Sequence, residues 1–388
     1  MKKSNHTGAI IIGGGVIGAA SAYYLSKAGV PVVLVEKEDV ASQTSGACNG
    51  YIWLGTKKAG FHLKLGKASL ELMKVLMEEM GDEVEHDLSG EMLLIETEDD
   101  LEGMQEFVTK QREAGVDIRI LTRYETKEMQ PAVAEERIVG ATYSPLGMQV
   151  NPIDLVLGYM RRATKMGADI RLRTCVIGIR VESGRAIGVE TDQGDIYAPW
   201  VVNSGGIFAP EIGRMLGIEI PISPLRGQLL VTEPVPPLIR IPTIESKYLL
   251  LKRNPDLLKR TTRSGVTCGI WQSENGNIYL GSSKEFVGYN RGNTFEAMAT
   301  SAQKAIHFYP QLSRFHIIRA YAGLRPYVED GIPIVGPVNG IGGFLMAAGH
   351  GGDGIALSPI TGKLISEFIV NGKTSIPMDE LALSRFHS

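Results

Sequence analysis

The chain has 388 residues, 44% of them hydrophobic and 21% charged, with 40 basic side chains against 43 acidic ones. That length and apolar content allow two or three packed domains and exclude global disorder, and the near balance of charge excludes the basic surface that nucleic acid needs. Three cysteines, Cys48, Cys175 and Cys268, lie far apart in sequence. This excludes a disulfide scaffold, a CxxC redox pair and an iron–sulfur site built by this chain alone, and fits a reducing cytoplasm.

The basic start and small apolar stretch, MKK then AIIIGGGVIGAASA, resemble an export signal. The competing reading is a buried strand and a glycine turn, and the glycine spacing and the acid that follows favour it. No uninterrupted run of about 18 apolar residues occurs, so no membrane span is expected. Residues 9–12 read as a strand, 19–27 as a helix ended by Gly29, and 32–35 as a β-branched strand ending in Glu36, a complete β-α-β unit. Amphipathic helices are expected over 63–80, 99–114 and 151–166, the last with Pro152 at its first turn. Strands follow at 170–181, 186–191, 195–197 and 201–203, and a helix starts near Ala209. The middle of the chain gives antiparallel strands at 228–232, 266–271 and 278–281, a proline-rich loop at 235–242 and a helix at 295–307. Strands at 317–324 and 344–348 lead to a final helix over 355–370.

Gly13, Gly15 and Gly18 form G-x-G-x-x-G between the first strand and helix. The first glycine permits the tight turn, the second lets a pyrophosphate approach the backbone, and the third lets helix and strand pack closely. The helix N-terminus offers N–H donors to phosphate. Glu36 can accept the ribose hydroxyls of an adenosine and would repel a 2′-phosphate. The motif alone does not separate FAD from NAD. The segment SQTSGACNG, residues 42–50, favours FAD, since its hydroxyls and backbone can continue along the pyrophosphate toward a ring system. An ordinary surface loop is the competing reading.

The fold class expected is α/β, α+β overall. A Rossmann-like FAD-binding domain would comprise residues 1–80, 145–215 and 320–388. An inserted, mostly antiparallel β-sheet substrate domain would comprise 81–144 and 216–319.

Five segments in this order, GGGVIG with Glu36, SQTSGACNG, VVNSGGIFAPEI, GLRPYVEDGIPIVGP and GHGGDGIALSPITGKLISEFI, resemble the D-amino-acid oxidase superfamily of flavoproteins across essentially the whole chain. NGNIYLGSSKEFVGYN, with the last two segments, is similar to one subgroup. It holds the catalytic beta-type subunits of proline and hydroxyproline dehydrogenases, sarcosine oxidase, opine oxidases and hydrogen cyanide synthase. The resemblance implies that Gly13, Gly15, Gly18, Glu36 and Lys37 hold the ADP half of FAD. Thr44, Ser45, Gly46, Asn49 and Gly50 would line the pyrophosphate and flavin, Val176 would meet adenine through its backbone, and Gly205 would pack against the cofactor. Gly323, Gly349, Gly351, Gly352, Asp353, Gly354 and Ile355 would approach the isoalloxazine. FAD is expected to be non-covalent, Cys48 not sitting at an obvious attachment position, and no metal is expected.

The start of the last helix could stabilise negative charge on reduced flavin. Arg325 is the expected clamp for a substrate carboxylate, holding it in two parallel hydrogen bonds. His350 could be a base or a structural contact to the flavin. Tyr248 and Tyr279 could meet substrate or belong to the core. His62 and Lys64 could face a second cofactor, FMN, at a subunit interface, or lie exposed.

The expected activity is oxidation of the C–N bond of an amino acid or secondary amine (proline, sarcosine or an opine) by hydride transfer to flavin N5. An electron-accepting partner subunit is implied. Two other readings remain open here: an FAD-dependent 2-hydroxy acid or glycerol-3-phosphate dehydrogenase, and a non-catalytic flavin-binding subunit.

Overall fold

The computed structural model describes residues 6–249 and 265–386. The basic start of the chain lies outside the described residues, as do the parts of the two domain assignments that fall on 1–5, 250–264 and 387–388. Two large sheets organise the rest.

The first has six strands in the order Ile334–Pro337, Phe344–Ala348, Trp200–Asn203, Ala9–Ile12, Val32–Val35 and Asp169–Arg171. All neighbours are parallel except the Ile334–Pro337 edge. Both faces are covered, as parallel sheets require. Ala9, Ile11, Leu34, Val202 and Leu345 pack on the side of the first helix, Val16–Lys27, and the last, Gly354–Asn371. Ile10, Ile12, Val33, Val35 and Val201 face a separate core behind the sheet. Burying an aliphatic side chain of this size stabilises by about 1.5–3 kcal/mol, so the short β-branched runs suffice to fix the register.

The second sheet has eight strands, ordered Ile317–Tyr327, Ser223–Pro234, Asn277–Gly281, Gly269–Gln272, Thr243–Glu245, Glu91–Ile95, Gly140–Ser144 and Arg119–Thr122. It is antiparallel apart from the Thr243–Glu245 and Glu91–Ile95 pair. Leu230, Ile270, Ile278 and Leu280 pack with Phe308 and Tyr309, at the end of helix Phe295–Phe308, in a third core.

Three features differ from the expectations. Thr243–Glu245 and Ile334–Pro337 were not foreseen as strands, nor were Glu91–Ile95, Arg119–Thr122 and Gly140–Ser144. Glu91–Ile95 is buried at all five positions and shows no alternation, and Gly140–Ser144, GATYS, is held by pairing on both sides rather than by propensity. The stretch 170–181 is not one strand. Asp169–Arg171 ends in the six-stranded sheet, Arg173 adopts a left-handed φ of 51°, and Val176–Glu182 begins an antiparallel hairpin. Strand Ile317–Tyr327 pairs along its length with Ser223–Pro234, so residues 320–327 sit in the eight-stranded sheet rather than with the glycine turn.

The first and last helices cross at Gly362, where an added Cβ would lie 2.7 Å from the Ala20 carbonyl carbon and oxygen. Gly362→Ala is expected to destabilise by about 1–3 kcal/mol through this overpacking. Gly103→Ala, in helix Glu98–Glu113 where a Cβ meets open space, should be neutral or stabilise by up to about 1 kcal/mol. Urea midpoints of the two variants, measured side by side, check both.

Candidate active site

A cavity of about 1110 Å³ lies between the two sheets. Its floor begins at the glycine turn. Gly13 has a φ of 112°, and a Cβ at Gly18 would sit 1.9 Å from the Gly13 carbonyl oxygen. Strand and helix therefore approach as only glycines allow. At Gly15 the only atom a Cβ would meet within 4 Å is the Ser45 hydroxyl, at 3.2 Å. Ser45 Oγ in turn accepts the Val16 N–H at 3.0 Å, capping the helix start. Glu36, at the end of the second strand, lines the cavity while its carboxylate accepts the N–H groups of Gly14 at 2.6 Å and Glu38 at 2.8 Å. Each oxygen keeps a lone pair for a ribose hydroxyl. Lys37 packs its ammonium 3.4 Å from the Phe208 ring centroid on the same wall.

At the other sheet, Arg325 projects from strand Ile317–Tyr327 across its neighbour at Gly227, where a Cβ would lie 2.3 Å from Arg325 Nη1. A glycine inside a strand marks such a close approach. Arg325 Nη1 donates to the Ser283 carbonyl at 3.1 Å and Nη2 to Ser282 Oγ at 2.8 Å. Among the described residues no carboxylate pairs with it. Burial pushes the guanidinium below its usual pKa, with Tyr248 and Cys48 opposing, yet arginine remains charged. Trp53, Tyr248 and Trp271 also line this region of the wall, and the Lys284 ammonium lies 4.0 Å from the Tyr248 ring centroid. Tyr279 instead stacks on Trp271 and does not line the cavity.

The last helix opens onto the same cavity through Gly349, His350, Gly351, Gly352, Asp353, Gly354 and Ile355. His350 is buried, and its Nε2 hydrogen-bonds Thr361 Oγ1 at 3.0 Å. Burial lowers its pKa to about 3, Asp353 opposing. The imidazole is therefore neutral and too weakly basic to take a proton near neutral pH, which favours the structural reading over the base. Asp353 precedes the helix and makes no side-chain capping bond. Its carboxylate pairs with the buried Lys57 and with His62 at 3.2 Å. The surface reading of His62 is thereby corrected: its side chain is 10% exposed and lines the cavity. Lys64 is exposed.

Thr44, Ser45, Asn49, Val176, Gly205 and Gly323 all line the cavity. Thr44 Oγ1 donates to the Leu324 carbonyl at 2.6 Å, joining the N-terminal loop to the Arg325 strand. Gly18, Gly46 and Gly50 do not line it. They are packing positions, since a Cβ at Gly46 or Gly50 would lie 2.2 Å from the Ala41 or 1.9 Å from the Val150 carbonyl oxygen. Cys48 lines the wall, and burial raises its thiol to about 11, so it is not a reactive thiolate. No group of metal-ligating side chains occurs among the described residues. No helix among them is long and apolar enough to cross a membrane. Sequence reasoning missed Gly227, Ser282, Ser283, Lys57 and both tryptophans. Gly227 fell just before the strand expected at 228–232, and none of these residues carried a legible signal.

The cavity exceeds the roughly 300–1,000 Å³ of ordinary ligand pockets. Its glycine cradle at one end and its tight second helix start suit an elongated dinucleotide. Residues 9–368 match the sequence profile of the family described as FAD dependent oxidoreductase. The chain is 28% identical to glycine oxidase of Geobacillus kaustophilus, over 97% of this chain and 96% of that protein. It is also 28% identical to hydrogen cyanide synthase subunit HcnC of Pseudomonas aeruginosa, over 95% and 93%. The solved structure of L-proline dehydrogenase from P. horikoshii superposes with a TM-score of 0.89 at 26% identity, covering 98% of both chains.

Two outcomes follow from the geometry. Glu36→Ala should weaken dinucleotide retention by about 1.5–3 kcal/mol, the worth of a charged hydrogen bond, or roughly 10- to 100-fold in Kd measured by fluorescence titration. For His350, the unfolded state binds the extra proton between pH 6.5 and about 3. Its stabilising contribution is thus complete above pH 6.5 and is lost as pH falls through that window. At pH 5 the loss is about 2 kcal/mol relative to pH 7.5. Urea unfolding at the two pH values should show this difference in the parent and not in His350→Gln.

Proposed function

The chain belongs to the FAD dependent oxidoreductase family, and from that premise we propose that it oxidises the C–N bond of an α-amino acid, preferably a secondary amine. The observation that carries the reading is Arg325: a half-buried cation on the cavity wall, backed by two serines and lying over Gly227, with no carboxylate of the described residues to neutralise it. Such a fork suits a substrate carboxylate in two parallel hydrogen bonds.

Arg325 would hold the carboxylate and so fix the direction of the Cα–H bond, a positioning effect that lowers the entropic part of the barrier. Trp53, Tyr248 and Trp271 would exclude water around the amine. FAD supplies an acceptor for two electrons and a hydrogen. The Cα–H electron pair leaves with its hydrogen, the nitrogen lone pair completes C=N, and the N–H proton passes to water. Water then adds to the imine to give a carbonyl product and a free amine. No residue need act as a base when the amine arrives neutral, in keeping with the Thr361-bonded, weakly basic His350.

The electrons need a further acceptor. The chain's three cysteines are dispersed, and one similar protein bears the name of a synthase subunit. Both support a partner subunit as the acceptor.

Anaerobic addition of proline, sarcosine, opines or glycine should bleach the oxidised-flavin absorbance. Bleaching by 2-hydroxy acids or glycerol 3-phosphate and by no amine would overturn the proposal. Arg325→Ala should retain FAD and lower kcat/KM for carboxylate substrates by about 3 kcal/mol, roughly a hundredfold. Stopped-flow reduction of the variant measures this.

A further inference from the structure

Aspartate at a helix N-cap normally turns its carboxylate onto the N–H groups of the first turn. Asp353 does not. It occupies the N-cap of Gly354–Asn371 and makes no side-chain capping bond. Its carboxylate is drawn to Lys57, which is 1% exposed, and to His62 Nε2 at 3.2 Å. Asp353 and His62 line the cavity, whereas Lys57 stands behind it. Burying an ammonium is costly unless it is paired, so the position of Lys57 is fixed by Asp353 as much as Asp353 is by Lys57.

We propose that Lys57 is a positioning residue for the flavin: its buried ammonium holds the Asp353 carboxylate away from the helix cap and cancels its charge. This leaves the first-turn N–H donors and the helix dipole free to act on the cofactor. The inference rests on the flavin-binding reading above.

The physical argument is one of sign. The N-terminus of a helix carries about half a positive charge and favours negative charge within its first turn. Reduction adds negative charge to bound flavin. An unpaired Asp353 would oppose that charge and would also compete for the donors by capping its own helix. Pairing with Lys57 removes both effects, and His62 adds a second cation whenever it is protonated. Nothing in this scheme requires Lys57 to touch substrate.

The test is a double-mutant cycle read by flavin midpoint potential and FAD affinity rather than by turnover. Lys57→Met keeps the stem and removes the charge. It should lower the reduction equilibrium at least tenfold, about 30 mV for a two-electron couple, and weaken FAD. Asp353→Ala removes the carboxylate; it costs stability by leaving the Lys57 ammonium without that carboxylate, but it takes no capping bond from the helix, and the folded protein should hold FAD with an unchanged or higher potential. In the Asp353→Ala background, Lys57→Met should lose most of its effect.

Equal shifts from Lys57→Met with and without Asp353 would overturn the proposal, as would FAD bound at an unchanged potential. Should Lys57→Met alone not fold, the comparison of Asp353→Ala with the double variant decides: a potential in the double variant more than about 30 mV below Asp353→Ala overturns it. Failure of the parent protein to take up FAD would overturn the functional reading as well, and so stays distinct from failure of the positioning role.

Discussion

The close crossing of the first and last helices is the constraint on which the site depends. Gly362 lies against the Ala20 backbone, and Ser366 Oγ donates to the Tyr24 carbonyl at 3.1 Å. Two N-termini from opposite ends of the chain are thereby set beside one cavity: the start of Val16–Lys27 after the glycine turn, and the start of Gly354–Asn371. Each presents unsatisfied N–H groups and partial positive charge. An elongated dinucleotide, with its central pyrophosphate at the first helix start and a reducible ring toward the second, would meet both. A larger residue at the crossing would move one helix start relative to the other.

The eight-stranded sheet supplies what the six-stranded sheet lacks, a charged wall. Arg325 lies across the strand beside it only because Gly227 has no side chain, and Ser282 and Ser283, just past the end of strand Asn277–Gly281, fix the guanidinium. The Thr44 hydroxyl bonded to the Leu324 carbonyl ties this wall to the flavin loop. The N-terminal loop and the strand that carries Arg325 are therefore held to one another at residues 44 and 324.

Charge is distributed along the cavity with a consistent sense. Glu36 lies beside the glycine turn, with its carboxylate satisfied by backbone N–H groups. Arg325 stands where a carboxylate is expected. Asp353, the acid at the last helix start, carries a sign that opposes negative charge there. It is held by Lys57 and His62. His350, beside it, stays neutral because burial excludes the charged form.

The sequence by itself determined what local patterning can encode. The glycine turn, Glu36 at a strand end, the apolar final helix and the Gly-Leu-Arg-Pro run each carry their physics within a few residues, and each was legible, as was the family resemblance. Tertiary structure decided the rest. Gly140–Ser144 is a strand only because both neighbours pair with it. The break at Arg173, which turns Val176 to the cavity, follows from hydrogen bonds of residues 173 and 174 to the Glu38 and Glu36 carbonyls. Lys57 read as an ordinary polar residue after a loop, His62 as a contact to a second cofactor or an exposed side chain, and Asp353 as one more member of the glycine-rich segment expected to approach the flavin. They became a partly buried polar cluster around Lys57 only when the fold brought positions almost 300 residues apart to one helix end. Partnership across such separations depends on packing geometry, which composition and periodicity do not encode.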